Sequence, residues 1–166
     1  MRLVLLFLFL FSSPPIWAMA KLSASFAVRT PLVGKPLPDI VLPNTKGVSS
    51  SVMAARQGGK AILVFWATWC PHCYEDLGSL YDNLAAIKKQ GIKIILVDVG
   101  ETKKQVSDYF KRRKMKLTSF VDANSVVLDK YFLIGVPTLL FIDEKGIVRS
   151  VTHVFPSDYE SYFGNY

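Results

Sequence analysis

Two cysteines lie close together in the stretch WATWCPHCYED, residues 66–76, and the chain has no others. Cys70 and Cys73 are separated only by Pro71 and His72. Thiols at this spacing can form a disulfide, exchange it with another protein, or bind a metal ion. Closing so short a loop would stabilise the fold by only about 1.9 kcal/mol, against about 4.7 kcal/mol for a 100-residue loop. We therefore expect this pair to react rather than to serve as a structural crosslink.

Cys70 is predicted to lie at the start of a helix. The apolar run KAILVFW, residues 60–66, is typical of a buried strand, and apolar residues after Cys73 recur every three or four positions. Pro71 suits the first helical turn, where its missing N–H would have had no partner. The free N–H groups of that turn would face the Cys70 sulfur and favour the thiolate, which is the attacking form.

Two neighbours of the cysteines could stabilise charge or move a proton. Lowering a cysteine pKa from about 8.5 to about 5 takes about 4.8 kcal/mol, whereas a helix terminus supplies at most about 2 kcal/mol. His72 is therefore predicted to lower the pKa of Cys70 further; the alternative is an exposed side chain without effect. Asp76 follows Cys73 by three residues and could accept its proton. Its alternative role is to stabilise the helix N-terminus.

A second candidate feature is the segment Gly135-Val136-Pro137-Thr138, at the start of another apolar run. Because proline cannot donate to a strand ladder, Pro137 is expected at the start of the strand. A cis bond before it would leave the backbone of Val136 free to pair with an extended segment of a partner protein. Val136, Pro137 and Thr138 are therefore candidate substrate-binding residues, and an ordinary trans proline is the alternative.

The remaining pattern predicts a single α/β domain over residues 21–166. Predicted strands lie at 39–42, 60–66, 92–99, 117–122, 136–143 and 147–154. Predicted helical segments lie at 49–56, from the cysteine pair to Gly91, at 102–113, at 125–132, and in the tail after Ser157. Alternating strands and helices pair in parallel, and the final hairpin adds antiparallel strands. We therefore expect a central mixed β-sheet flanked by helices.

The N-terminus has the pattern of a secretory signal peptide. Arg2 precedes an apolar run from Leu3 to Phe11, and Ala18-Met19-Ala20 fits a signal-peptidase site. Residues 1–20 are therefore predicted to be removed, with a retained membrane anchor as the alternative. In either case we expect an extracytoplasmic, periplasmic domain, membrane-anchored if the segment is retained, where disulfides persist.

Several other functions fit the sequence less well. A structural zinc site needs four ligands, and only His72 and His153 could join the cysteines, so no metal site is predicted. Covalent haem attachment needs a histidine directly after Cys73, where Tyr74 stands. The formal charge is +7, and KRRKMK at 111–116 is strongly basic, but no nucleic-acid-reading motif accompanies it. We expect no nucleic-acid partner, and a solvated helix end that steers acidic partners or anionic lipids.

Residues 34–150 resemble the thioredoxin superfamily and, more narrowly, the exported TlpA/ResA-like thiol–disulfide oxidoreductases. The resemblance is carried by GKPLPDIVLPNTKG, GKAILVFWATWCPHC and GVPTLLFIDEKGIVR, in that order. It implies a thioredoxin fold, with Cys70 as the attacking nucleophile and Cys73 as the resolving thiol. It also implies that Pro137 is a cis-proline facing the cysteines.

The resemblance assigns further positions near the cysteines. Trp66 and Trp69 match the aromatic positions before the active site. Trp69, Pro71 and His72 are therefore the candidate residues that tune the reactivity of the cysteines. Asp76 matches a position that often carries an acidic residue in this group. Cytosolic thioredoxins have a buried aspartate six residues before the first cysteine. Here that position is Val64, which gives Asp76 more weight as the proton-transfer residue.

The predicted function is disulfide exchange with exported thiol or disulfide proteins through Cys70 and Cys73. The resemblance implies a reductant in cytochrome c or oxidase assembly, reset by a membrane redox partner. The Cys-Pro-His-Cys sequence is instead associated with DsbA-type oxidases, so a disulfide donor is the first alternative, although the long helical insertion of that type is absent. The second alternative is a copper(I) chaperone that uses the same cysteines as ligands. The third is a non-catalytic interaction domain. No cofactor is expected beyond the redox-active disulfide.

Overall fold

The structure, a computed structural model, describes residues 31–164, so the predicted signal segment at residues 1–20 lies outside the described residues. The elements follow in the order β1 (Val41–Pro43), β2 (Ser49–Ser51), β3 (Ala61–Trp66), α1 (Pro71–Lys89), β4 (Lys93–Val99), α2 (Lys103–Arg112), β5 (Ser119–Asp122), α3 (Val126–Lys130), β6 (Thr138–Ile142) and β7 (Val148–Thr152). Short 3-10 helices lie at Ala54–Arg56 and Tyr159–Phe163. None of the helices in this part of the chain is long and apolar enough to cross a membrane.

A five-stranded mixed sheet forms the centre of the domain, in the order β5-β4-β3-β6-β7. β3 pairs in parallel with β4, and β4 pairs in parallel with β5. β6 pairs antiparallel with both β3 and β7. β1 and β2 form a separate two-stranded antiparallel ribbon. This confirms the predicted mixed sheet, and it places β3, which leads into the cysteine stretch, in the middle.

β3 is apolar throughout because both faces of the sheet are covered. All six of its residues are buried. Val64 and Trp66 belong to the core shared with α1, α2 and the C-terminal 3-10 helix. Leu63 and Phe65 belong to the core on the other face, with α3 and the chain before β1. Complete burial stabilises the fold by about 1.5–3 kcal/mol for each large apolar side chain, so this strand fixes the frame on which the cysteine stretch is built.

α1 begins immediately after the loop that follows β3. Cys70 is its N-cap residue and Pro71 occupies the first turn, as predicted. The helix packs on the sheet through an apolar face, whose buried members include Leu77, Leu80 and Ile87. Gly91 has φ +76°, a left-handed conformation that turns the chain from α1 towards β4. The helix start is therefore held in place from both sides, by β3 before it and by its own packed face after it.

The prediction of helical turns over 49–56 is wrong for most of that segment. Residues 49–51 are the strand β2, and only residues 54–56 form a helical turn. The cause is Asp39, whose carboxylate accepts a hydrogen bond from the Ser51 hydroxyl at 2.5 Å and from the Met53 N–H at 3.0 Å. These bonds tie the segment to the chain before β1 and favour an extended path.

The later elements lie where the sequence places them but are shorter. The strand predicted at 117–122 begins only at Ser119, and the helix predicted at 125–132 is reduced to α3. The predicted final helix is the 3-10 helix Tyr159–Phe163. Phe163 packs edge-on against Phe141 of β6, with ring centroids 5.4 Å apart. The tail therefore covers the sheet through aromatic contacts and not through a regular helical face.

Candidate active site

Cys70 and Cys73 form a disulfide at the start of α1. As the N-cap residue, Cys70 has an extended backbone (φ −87°, ψ 113°), and the N–H of Cys73 donates a hydrogen bond to Cys70 Sγ at 3.1 Å. Cys70 is 5% exposed and Cys73 is 1% exposed. If the disulfide opens, the same N–H and the helix terminus favour negative charge on Cys70. The geometry therefore makes Cys70 the more accessible sulfur and the better site for a thiolate.

The segment before β6 faces the cysteine pair. The Val136–Pro137 peptide bond is cis, and the carbonyl oxygen of Val136 lies 3.5 Å from Cys70 Sγ. The Thr138 hydroxyl donates a hydrogen bond to the Gly135 carbonyl at 2.7 Å, which closes the turn around the proline. Val136 is half-buried, whereas Thr138 is 1% exposed. The backbone of Val136 is thus available beside the disulfide, and the side chain of Thr138 is not.

His153 joins this segment, although the sequence suggested it only as a zinc ligand. Its Nδ1 lies 3.1 Å from the Pro137 carbonyl and 3.2 Å from Thr138 Oγ1. The carbonyl can only accept, and the Thr138 hydroxyl already donates to Gly135, so Nδ1 must carry the hydrogen and donate to both. The pairing of Leu139 with Thr152 brings His153 opposite Thr138. The hairpin register, which the sequence alone does not determine, therefore places His153 there.

Asp76 lies one turn after Cys73 and is 8% exposed. Burial raises the pKa of Asp76 above its ordinary value; the Phe155 backbone opposes the rise, Glu75 adds to it, and His72 lowers it. Among residues 31–164, Asp76 Oδ2 has no hydrogen-bond partner. An acid with these properties can hold a proton at a higher pH than an ordinary aspartate and has an oxygen free to exchange it.

The predicted tuning residues Trp69, Pro71 and His72 are all exposed. Trp69 is 67% exposed, next to Cys70, while Trp66 is fully buried and donates its indole N–H to the Ser119 hydroxyl at 3.1 Å. His72 is also exposed, in the first turn of α1. Ile134, two residues before Val136, is 80% exposed. Apolar groups therefore reach solvent from both segments that flank the disulfide.

The loop between β3 and α1 has an anchor that the sequence did not reveal. Both carboxylate oxygens of Glu101 accept hydrogen bonds from Thr68: Oε2 from its N–H at 2.5 Å and Oε1 from its hydroxyl at 2.6 Å. Glu101 follows β4 and is 5% exposed. Since β4 is the parallel neighbour of β3, the ends of both strands meet at the cysteine loop.

The basic run at 111–116 lies beside the active-site helix. The Arg113 guanidinium lies over the ring of Tyr74, 3.4 Å from its centroid, and donates to the Tyr109 hydroxyl at 3.2 Å. Tyr74 follows Cys73 directly in α1. The other basic side chains of the run are exposed: Lys111, Arg112, Lys114 and Lys116. The basic run therefore contacts the active-site helix through Arg113, at the residue that follows Cys73.

The next question is whether histidine, cysteine or acidic side chains gather into a metal site near the cysteine pair. Among residues 31–164, no group of three or more histidine, cysteine, aspartate or glutamate side chains lies close enough together to hold an ion. The arrangement is instead one sulfur at a helix N-terminus, a second sulfur behind it, and a buried carboxylic acid one turn away. These groups can carry out thiol–disulfide exchange.

Comparisons with known proteins agree with this chemistry. The sequence model of the AhpC/TSA family matches residues 33–151. The thiol-disulfide oxidoreductase ResA of Geobacillus kaustophilus (strain HTA426) is 33% identical over 119 residues, which cover 72% of this chain and 68% of ResA. The residues matched by the family model include the cysteine pair and Pro137.

Solved structures agree on the fold. The thioredoxin domain of a thiol-disulfide oxidoreductase from Bacteroides vulgatus superposes with a TM-score of 0.69 at 20% identity, covering 80% of this chain and 98% of that one. StoA from Bacillus subtilis superposes with a TM-score of 0.62 at 22% identity, covering 80% and 97%. These structures confirm the thioredoxin fold. The chain therefore belongs to the AhpC/TSA family and is a thiol-disulfide oxidoreductase similar to ResA.

Proposed function

We propose that this oxidoreductase reduces disulfides in exported proteins, with Cys70 as the nucleophile and Cys73 as the resolving thiol. The observation that supports the proposal most directly is the Cys73 N–H, which points at Cys70 Sγ from the first turn of α1 at 3.1 Å. Backbone N–H groups in this position stabilise a thiolate. Because Cys70 is the more exposed of the two sulfurs, a partner protein would meet it first.

The reaction is two successive exchanges. The Cys70 thiolate attacks one sulfur of the partner disulfide, a mixed disulfide forms, and the other partner sulfur leaves as a thiolate. The Cys73 thiolate then attacks Cys70 Sγ, which releases the second partner thiol and forms the Cys70–Cys73 disulfide. Two electrons pass to the partner, and a membrane redox protein that supplies two electrons restores the dithiol.

Asp76 is proposed to accept the proton of Cys73 in the second exchange. Cys73 is almost completely buried, and burial raises the pKa of a thiol, so the resolving step needs a base. Asp76 lies one helical turn further along α1, buried like Cys73. In the same scheme His72, two residues after Cys70, stabilises the Cys70 thiolate, and Trp69 provides an exposed apolar contact for the partner.

The segment at 135–138 is proposed to hold the partner chain. Val136 has its carbonyl beside Cys70 Sγ, where the backbone of an extended partner segment could pair with it. Pro137 sets the direction of the chain there. Thr138 contributes differently from our expectation, because its buried hydroxyl is bound to Gly135. It positions the segment and does not touch the partner through its side chain.

The setting is proposed to be extracytoplasmic and periplasmic, with cytochrome c or oxidase assembly as the process served. The signal-peptide pattern of residues 1–20 supports export, and a retained segment would add membrane association. The choice of a reductant rests on the resemblance of the sequence to the exported TlpA/ResA-like group. The exchange chemistry itself requires no cofactor besides the cysteine pair.

The decisive experiment is the equilibrium of the cysteine pair with glutathione at pH 7, followed by trapping of the thiols. A reductant should have a potential near that of thioredoxin, about −270 mV, whereas a disulfide donor should lie near about −120 mV. The second result would favour the donor function, for which His72 between the cysteines is the supporting observation. Tight stoichiometric copper(I) binding without disulfide exchange would instead favour the chaperone and overturn the proposal.

A further inference from the structure

Asp98 is a buried carboxyl group that the exchange reaction does not use. It lies in β4 opposite Trp66 of β3, and its exposure is 0%. Neither of its oxygens has a hydrogen-bond partner within residues 31–164. An unpaired buried carboxylate costs several kcal/mol, so such a group is normally neutralised or paired. Asp98 therefore requires a physical explanation.

Glu101 lies three residues further along the chain and is also buried. Its two oxygens accept the N–H and the hydroxyl of Thr68. A carboxyl group whose two oxygens both accept hydrogen bonds is bound in the manner of a carboxylate. Thr68 is two residues before Cys70, so this contact connects the end of β4 to the loop that delivers the nucleophile.

The surroundings of Asp98 favour its protonated form. Burial first, and then the side chain and charge of Glu101, raise the pKa of Asp98 to about 8; Asp122 of β5 adds to the rise, and the backbone of Glu101 opposes it. The acidic groups that act on Asp98 are thus Glu101 and Asp122. The neighbouring β3 presents Trp66, against which α2 packs Tyr109, and α1 contributes the apolar side of the same core. A proton is therefore the means by which this site is neutralised.

We propose that Asp98 and Glu101 are positioning residues for Cys70, held together by one shared proton. Protonated Asp98 donates to Glu101, leaves the pair with a single negative charge, and keeps Glu101 on Thr68. Loss of that proton places two anions side by side in the interior. Their repulsion is relieved when Glu101 moves away from Thr68, and the loop that holds Cys70 at the N-terminus of α1 is released.

The consequence is an unusual pH dependence. Thiol reactivity ordinarily rises with pH until the thiolate is fully formed and then stays constant. Here the reactivity of Cys70 should fall again as the pH passes about 8, because the loop loosens and a second negative charge disfavours the thiolate. The expected decrease is about two- to tenfold, the equivalent of one lost hydrogen bond. The inference depends on the proposed function only for the identity of the nucleophile.

The test uses the full chain and three variants. Asp98→Asn keeps the shape and donates permanently to Glu101, so it should keep the Cys70 alkylation rate constant above pH 8. Asp108→Asn, which removes an exposed carboxylate on α2, is the matched control and should behave like the wild type. Thr68→Val removes one of the two donors to Glu101 and should lower the rate by about two- to tenfold already at pH 7. If Asp98→Asn does not fold, Thr68→Val still tests whether the contact of Glu101 with the loop supports the reactivity of Cys70.

Tryptophan fluorescence of the oxidised protein provides a second measurement that needs no free thiol. The wild type and Asp108→Asn should show a transition near pH 8, sensed by Trp66 and Trp69, and Asp98→Asn should not. Absence of both transitions in the wild type, or their persistence in Asp98→Asn, would overturn the inference. A fluorescence transition that depends on Asp98, with Cys70 as unreactive as a peptide thiol, would support the anchor and refute the proposed function instead.

Discussion

Thr138→Val tests whether the segment around Pro137 is held by side chains. The substitution keeps a β-branched residue of similar volume in β6, so strand propensity and packing change little. It removes the hydroxyl that donates to the Gly135 carbonyl at 2.7 Å and accepts from His153 at 3.2 Å. A hydrogen bond of this kind contributes about 0.5–1.5 kcal/mol to stability. The contact with His153 contributes less, because Nδ1 of His153 also donates to the Pro137 carbonyl. We therefore expect a loss of about 1–2 kcal/mol in the free energy of unfolding.

The measurement is urea unfolding of the oxidised protein beside a matched variant of the same hairpin. Thr152→Val makes the same chemical change in β7, where the hydroxyl donates to the Val154 carbonyl at 2.9 Å in an exposed position. Its expected cost is at most about 0.5 kcal/mol, as for other exposed substitutions. A double-mutant cycle of Thr138→Val with His153→Leu should give a coupling energy of about 0.5 kcal/mol or more.

The same substitution should slow disulfide exchange. Val136 places its carbonyl 3.5 Å from Cys70 Sγ, and that position depends on the turn that Thr138 closes. The rate with a protein disulfide should fall by about two- to tenfold in Thr138→Val and stay unchanged in Thr152→Val. Equal effects of the two substitutions on stability, or a coupling energy of zero with His153→Leu, would refute the reasoning, because the hydroxyl would then act only as a local strand residue.

Two further predictions concern α1. Asp76→Asn should slow the release of the partner from the mixed disulfide by about tenfold or more. It should also remove the rise of that rate with pH through the raised pKa of Asp76, while Asp82→Asn, which removes an exposed carboxylate further along α1, should leave both unchanged. Arg113→Ala should cost about 1–2 kcal/mol of stability by removing the contact with Tyr74, whereas Arg112→Ala, which is exposed, should not. If the basic run steers acidic partners, both arginine variants should lower the association rate at low salt to the same extent; a decrease in Arg113→Ala alone would assign the effect to structure.

The sequence pattern predicted those elements whose conformation depends mainly on residues close together in the chain. The run at 60–66 is apolar at every position because β3 is covered on both faces. The cap at Cys70 and Pro71 could be predicted because helix starts have their own residue preferences. The segment at 49–56 could not, since its path is set by Asp39, ten or more residues earlier in the chain.

The contacts that support the site were hidden for a different reason. Glu101 meets Thr68 across 33 residues, and His153 meets Thr138 across 15, through the registers of β3 with β4 and of β6 with β7. A single sequence shows the strands but not their relative alignment, and a shift of one residue would turn each side chain to the other face. Motif spacing along one helix was therefore predictable, while the residues that hold the motif in place were not.

The buried acids Asp76, Asp98 and Glu101 all lie outside β3, the strand that leads into the cysteine stretch. The place six residues before Cys70 is held by Val64, which is buried in the core that α1 covers. In the proposed scheme, proton transfer comes from an acid on another element. Asp76 can serve the resolving thiol from α1, and Asp98 with Glu101 can hold the nucleophile's loop from β4. Separating the two tasks allows the reactivity of Cys70 and the deprotonation of Cys73 to respond to pH independently, which the Asp76→Asn and Asp98→Asn variants can distinguish.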